Sequence, residues 1–104
     1  MKCYIVILNP TAGKGHAERR IPEIEEFFKT HKLEYKIIQT ERPGHAIEIA
    51  ETYALNENTV IVAAGGDGTI NEIINGLMHA SKKIDQVPPF GVLAIGRGND
   101  FAFS

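Results

Sequence analysis

A chain of 104 residues, 43% hydrophobic and 23% charged, has the balance of one soluble globular domain, long enough for a single core and too short for two. Its net charge of −2, with Lys and Arg scattered rather than gathered, excludes the basic footprint of a nucleic-acid-binding protein. Cys3 is the only cysteine, so there is no disulfide framework and no CxxC site, and the opening apolar run is too short for a signal-peptide core or a membrane span; a reducing, cytoplasmic setting is expected.

Strand and helix signals then alternate. Lys2 to Leu8 reads as a first strand, with Cys3 a small buried side chain rather than a reactive thiol. Asn9 to Gly15, holding one proline and two glycines, is a loop. His16 to about Thr30 is expected as one helix with the apolar stripe Ala17, Ile21, Ile24, Phe27 and Phe28, in which Pro22 fits only in a first turn. Leu33 to Thr40 is a second strand, closed by the turn signal Arg42-Pro43-Gly44. His45 to Leu55 is a helix burying Ala46, Ile49, Ala50 and Tyr53. Val60 to Ala64 is wholly apolar, a strand buried on both faces. Ile70, Ile73, Ile74, Leu77 and Met78 mark a third helix, Ser81 to Pro89 a polar loop, and Phe90 to Ile95 a fourth strand.

This order predicts an α/β domain of three layers, a parallel sheet with helices on both faces. Right-handed crossovers bring the loops after all four strands to one sheet edge, where such folds bind ligands. Those loops hold every glycine-rich segment of the chain.

Gly65-Gly66-Asp67-Gly68-Thr69, between an apolar strand and a helix, has the composition of a phosphate cradle. Its glycines admit positive φ angles and a ligand that approaches without meeting a Cβ, and the helix start offers N–H groups and a positive dipole end. Asp67 repels a phosphate unless a cation bridges them or the carboxylate moves a proton. Thr69 and Glu72 fit the capping box T-x-x-E, which explains both without a ligand, but not three glycines around an aspartate. Asn9 to Gly15 is no Walker A loop, because Leu8 stands five before Gly13 and no Ser or Thr follows Lys14. It is no dinucleotide fingerprint either, with Glu18 where a third glycine belongs. The histidines His16, His31, His45 and His79 lack metal-ligand spacing and suit surface or capping positions. No serine elbow or cysteine–histidine pair is present, which leaves phosphate chemistry.

Three segments together resemble the diacylglycerol kinase catalytic domain shared by bacterial lipid kinases, sphingosine kinases and ceramide kinases. They are Asn9-Pro10 with Gly13-Lys14-Gly15, the run Gly65 to Leu77, and Gly96-x-Gly98-Asn99-Asp100-Phe101-Ala102. The resemblance covers the whole chain in order. It implies the N-terminal domain of the NAD kinase/diacylglycerol kinase-like fold, with the C-terminal domain absent; the aromatic residues Phe101 and Phe103 beside Ser104 add to the expectation of a longer protein.

The resemblance further implies a kinase that moves the γ-phosphoryl group of ATP to a lipid hydroxyl such as that of diacylglycerol, with magnesium. Gly65, Gly66, Asp67, Gly68 and Thr69 would surround the phosphates, with Asn9, Thr40, Gly96, Arg97 and Gly98 also at the nucleotide. Asp67 would hold magnesium or act at the transferring group. The catalytic base is expected beyond Ser104, so this portion alone should be inactive, and the parent protein would meet its lipid peripherally at a membrane surface. Arg97 and Ala94 stand where the family usually has Thr and Pro. Two other readings stay open: a small-molecule kinase of the NAD kinase type, and a non-catalytic nucleotide-sensing module suggested by Arg97. Oligomeric state is not written in the sequence.

Overall fold

Successive side chains of a strand face opposite ways, so an apolar run without alternation needs cover on both sides. Strands β1 (Cys3–Leu8) and β3 (Thr59–Gly65) are such runs, and the sheet places them at its centre. The computed structural model describes residues 2–94 of the chain. Over these the strand order is β2-β1-β3-β4, with β2 spanning Glu34–Gln39 and β4 Phe90–Ala94, and every pairing is parallel. The register runs from Cys3 opposite Glu34 and Thr59 to Leu8 opposite Gln39 and Ala64.

The pleat divides the core in two. Ile5, Ile7, Ile61 and Ala63 pack under helices α3 (His45–Ala54) and α4 (Asp67–Ala80), against Ala46, Ile49, Ala50, Ile73 and Leu77. Val6, Leu8, Val62 and Ala64 pack on the other face against Ala17 of α1 (Ala12–Arg19) and Ile24 and Phe28 of α2 (Ile21–Thr30). Fully burying one such aliphatic side chain contributes about 1.5–3 kcal/mol. Phe28 anchors the second layer: it stacks on Tyr35 at 5.2 Å between centroids and meets the edge of Phe27 at 5.3 Å. The expected three-layer α/β architecture is therefore present.

Two expectations need correction. The single helix from His16 is two helices, and the first begins at Ala12, inside the expected loop. The break falls at Arg20, so that Pro22 occupies the first turn of α2, where a missing N–H leaves no intrahelical bond unmade. In α4, Ile73 and Leu77 are buried, but Ile74 and Met78 of the same stripe are exposed. Cys3 is half-buried, and desolvation first, then the charge of Glu34, raises its thiol pKa, in keeping with an inert role.

Helix α2 ends in a Schellman motif: Leu33 N–H donates to the Phe28 carbonyl at 2.9 Å and Lys32 N–H to the Lys29 carbonyl at 3.1 Å. Its left-handed position is filled by Lys32, at φ 55°, where glycine is the usual occupant. Helices α3 and α4 touch at Gly76, where an added Cβ would meet the Ile47 carbonyl oxygen and lie 2.8 Å from Ala50 Cβ.

Candidate functional site

With all four strands parallel, their carboxyl ends share one edge, and the turns that follow stand side by side. Asn9 follows β1, Thr40 follows β2, and Gly66 joins β3 to α4. Thr40 N–H donates to the Leu8 carbonyl at 2.8 Å, which fixes the second turn beside the first. Asn9 shapes its own turn: Oδ1 accepts from Thr11 N–H at 3.0 Å and from Thr11 Oγ1 at 2.8 Å.

Between these turns lies a cleft of about 580 Å³. Asn9, Pro10 and Thr11 form one wall, Thr40 to Pro43 with Ala46 a second, and Gly66, Gly68, Thr69 and Glu72 a third. Asn9, Thr40, Gly66, Gly68 and Thr69 are thus brought together. Gly65 ends β3 behind them, half-buried, and Asp67 stands exposed between the two lining glycines. Gly96, Arg97 and Gly98 lie outside the described residues, as do the side chains of Gly13-Lys14. A larger cleft of about 640 Å³ lies near Lys2 and the turns Ala54–Glu57 and Lys83–Pro89, away from these groups.

The glycine run works differently from the expectation. Gly65, Gly66 and Gly68 have no positive φ; among the described glycines only Gly15 and Gly44 do. Gly66 is extended at φ −96° and ψ −169°, which any residue adopts, and an added Cβ at Gly66 or Gly68 would meet nothing within 4 Å. Neither the backbone nor internal packing requires glycine there, although glycine in a helical position is destabilising by roughly 0.5–1 kcal/mol relative to Ala. Of the two reasons for glycine, only bare access from outside survives.

The capping box is also overturned. Helix α4 begins at Asp67, so its N-cap is Gly66, which caps with no side chain, and Thr69 lies in the first turn with 5% exposure. Among the described residues no side chain caps the first-turn N–H groups, which suits them to water or an anion, with the positive end of the dipole beside them. Glu72 serves another helix: Oε2 accepts from Gly44 N–H, the N-cap residue of α3, at 3.2 Å.

Asp67 makes no side-chain hydrogen bond or ion pair among the described residues, and no group of three metal-ligating side chains exists among them. The described residues alone therefore form no dedicated metal cage. The set fits magnesium that arrives with a nucleotide, because that ion takes one or two carboxylates and completes its shell from phosphates and water. Glu41 and Arg42 are cleft residues that the pattern did not mark. Position on the same sheet edge, next to Thr40, is the signal that reaches them. The Arg42 guanidinium is hydrogen-bonded to Glu48, which raises its pKa and lowers that of Glu48. His45 Nδ1 accepts from Glu41 N–H at 2.9 Å and His31 Nδ1 lies 2.8 Å from the Phe27 carbonyl oxygen, so these two histidines brace turns.

The diacylglycerol kinase catalytic domain family model matches residues 3–104. The diacylglycerol kinase of Bacillus subtilis (strain 168) is 38% identical over 98% of this chain and 32% of its own length. Sphingoid long-chain bases kinase 1 of Arabidopsis thaliana is 34% identical over 96% of the chain and 14% of its own length. A crystal structure of a diacylglycerol kinase from Bacillus anthracis str. Sterne superposes with a TM-score of 0.63 at 26% identity, over 95% of this chain and 34% of that one. The chain spans about a third of the length of the bacterial relatives it matches.

Proposed function

The chain belongs to the diacylglycerol kinase catalytic domain family, and we propose that it forms the ATP-binding part of a lipid kinase. The observation that carries the reading is the pair Gly66 and Gly68, kept bare on the cleft wall at an uncapped helix start with no internal need for glycine. The β- and γ-phosphates would lie against Gly65 to Thr69, with Asn9 and Thr40 at the rest of the nucleotide. Each charge-assisted hydrogen bond from these N–H groups is worth roughly 1.5–3 kcal/mol.

Phosphoryl transfer depends mainly on positioning and on neutralising charge over the phosphate oxygens. Magnesium bound with the nucleotide supplies part of that charge, and Asp67 is the residue that would hold it. In the transfer the bond from the γ-phosphorus to the bridging oxygen breaks, and one to the lipid hydroxyl oxygen forms. The hydroxyl proton would pass to a general base as that bond forms. The relatives named as diacylglycerol and sphingoid base kinases favour a hydroxyl on a lipid over a small-molecule acceptor. No helix among the described residues is long and apolar enough to cross a membrane. A lipid acceptor would be met peripherally, at the membrane surface.

Calorimetry with ATP and magnesium on this chain and on Gly66→Val tests the reading. Valine suits the extended backbone of this cleft-lining position but caps a helix less well than glycine, so binding should be lost while stability falls by no more than about 1 kcal/mol and the variant stays folded. Binding by the variant as tight as by the wild type would refute the cradle. Asp67→Ala should weaken ATP only when magnesium is present; an unchanged affinity would remove the metal from its role.

A further inference from the structure

We infer that Glu72 is a positioning residue whose carboxylate fastens the Thr40–Gly44 wall of the cleft to the helix bearing the phosphate turn. The inference rests on the nucleotide reading of that cleft.

Among the described residues, the wall between β2 and α3 is hydrogen-bonded at two points to elements other than α3. At its start Thr40 N–H donates to the Leu8 carbonyl, and at its end Gly44 N–H donates to Glu72, 28 residues away in sequence. The other bonds, from Glu41 N–H to His45 Nδ1, from His45 N–H to the Arg42 carbonyl and from the Arg42 guanidinium to Glu48, join the segment only to α3, the helix that follows it. Among the described residues, Glu72 supplies the one hydrogen bond that ties this wall to α4. One helical turn further on, Gly76 lets the backbones of α3 and α4 meet. Packing therefore fixes the body of α3, and Glu72 fixes its amino end.

Gly44 is built for this bond. Its φ of 83° is the left-handed conformation, and since an added Cβ there would meet nothing, the conformation alone calls for glycine. That turn presents its N–H to a partner from α4. A carboxylate on the wall of a triphosphate cleft repels the ligand, so Glu72 needs a reason to be acidic or at least an acceptor. A half-buried N–H at a helix start is such a reason.

The test compares Glu72→Ala with Glu72→Gln, which keeps a carbonyl acceptor for Gly44 N–H and removes the charge. Without nucleotide, hydrogen exchange at the Gly44 amide should be about tenfold faster in Glu72→Ala and near the wild-type rate in Glu72→Gln. Affinity for ATP with magnesium should fall about tenfold in Glu72→Ala and be equal or tighter in Glu72→Gln. Unchanged Gly44 exchange in Glu72→Ala would overturn the tether. So would an affinity loss in Glu72→Gln as large as in Glu72→Ala, which would make Glu72 a metal ligand or proton carrier instead. If the wild-type chain bound no nucleotide, the nucleotide reading would fall, and the exchange comparison would still decide the tether.

Discussion

The first turn and the middle of α4 both carry glycine, and for opposite reasons. At Gly76 a side chain has no room, because the α3 backbone occupies the place of its Cβ. At Gly66 and Gly68 there is room for a side chain and no internal need to leave it out. A glycine that the fold uses and one that it merely tolerates look identical in sequence. What the missing Cβ would touch separates them, and the second kind marks surface kept bare for something outside the chain.

The largest effect should come from the first kind. Gly76→Ala gains about 1 kcal/mol of helix propensity but forces α3 and α4 apart, for a net loss of about 2 kcal/mol. Urea unfolding reads it as a lower midpoint at unchanged slope. Unaltered stability would erase the distinction, because Gly76 would then be no more needed than Gly68.

Most of the fold was legible because its signals are local and agree with one another. The unbroken apolar runs of β1 and β3 announce two-sided burial, and the alternation of strands and helices announces the parallel sheet. The loops that line the cleft could be named for the same reason: in a parallel sheet, position after a strand is position at the carboxyl edge. What failed depended on where a helix starts. Thr69-x-x-Glu72 is a well-formed capping box, yet α4 begins at Asp67 and Glu72 reaches Gly44, a contact that spacing along one helix cannot show. Likewise Pro22 signals a first turn, but only the kink at Arg20 shows that the turn belongs to a second helix.

The second kind of glycine should give changes of opposite sign in two measurements. Gly68→Ala should raise stability by up to about 1 kcal/mol, since it improves an exposed helical position, and should weaken binding of ATP with magnesium. A gain in stability with undiminished affinity would leave Gly68 unexplained. Lys32→Gly sharpens the comparison from the other side, because there the backbone calls for glycine and the sequence lacks it. Relieving a left-handed lysine in the Schellman motif should add about 0.5–1 kcal/mol, with no effect on nucleotide affinity.

The smallest effect concerns charge at the seam where Gly76 lets α3 and α4 meet. Across the α3–α4 seam, Glu51 accepts from Lys83 Nζ at 2.9 Å and lies 3.6 Å from His79 Nδ1. The Lys83 hydrogen bond lowers the Glu51 pKa below its ordinary value of 4.5, with desolvation opposing and the charges of Lys83 and His79 assisting. A carboxyl that is more acidic when folded adds stability above that ordinary value, and loses it as pH falls through the folded value. Lys83→Ala should therefore lower stability slightly above about pH 4.5, flatten the acid limb below it and leave the most acid end where it was, a small change as befits an exposed lysine. Urea unfolding across this pH range checks it, and an acid limb as steep in the variant as in the wild type would mean that the seam pair adds no stability.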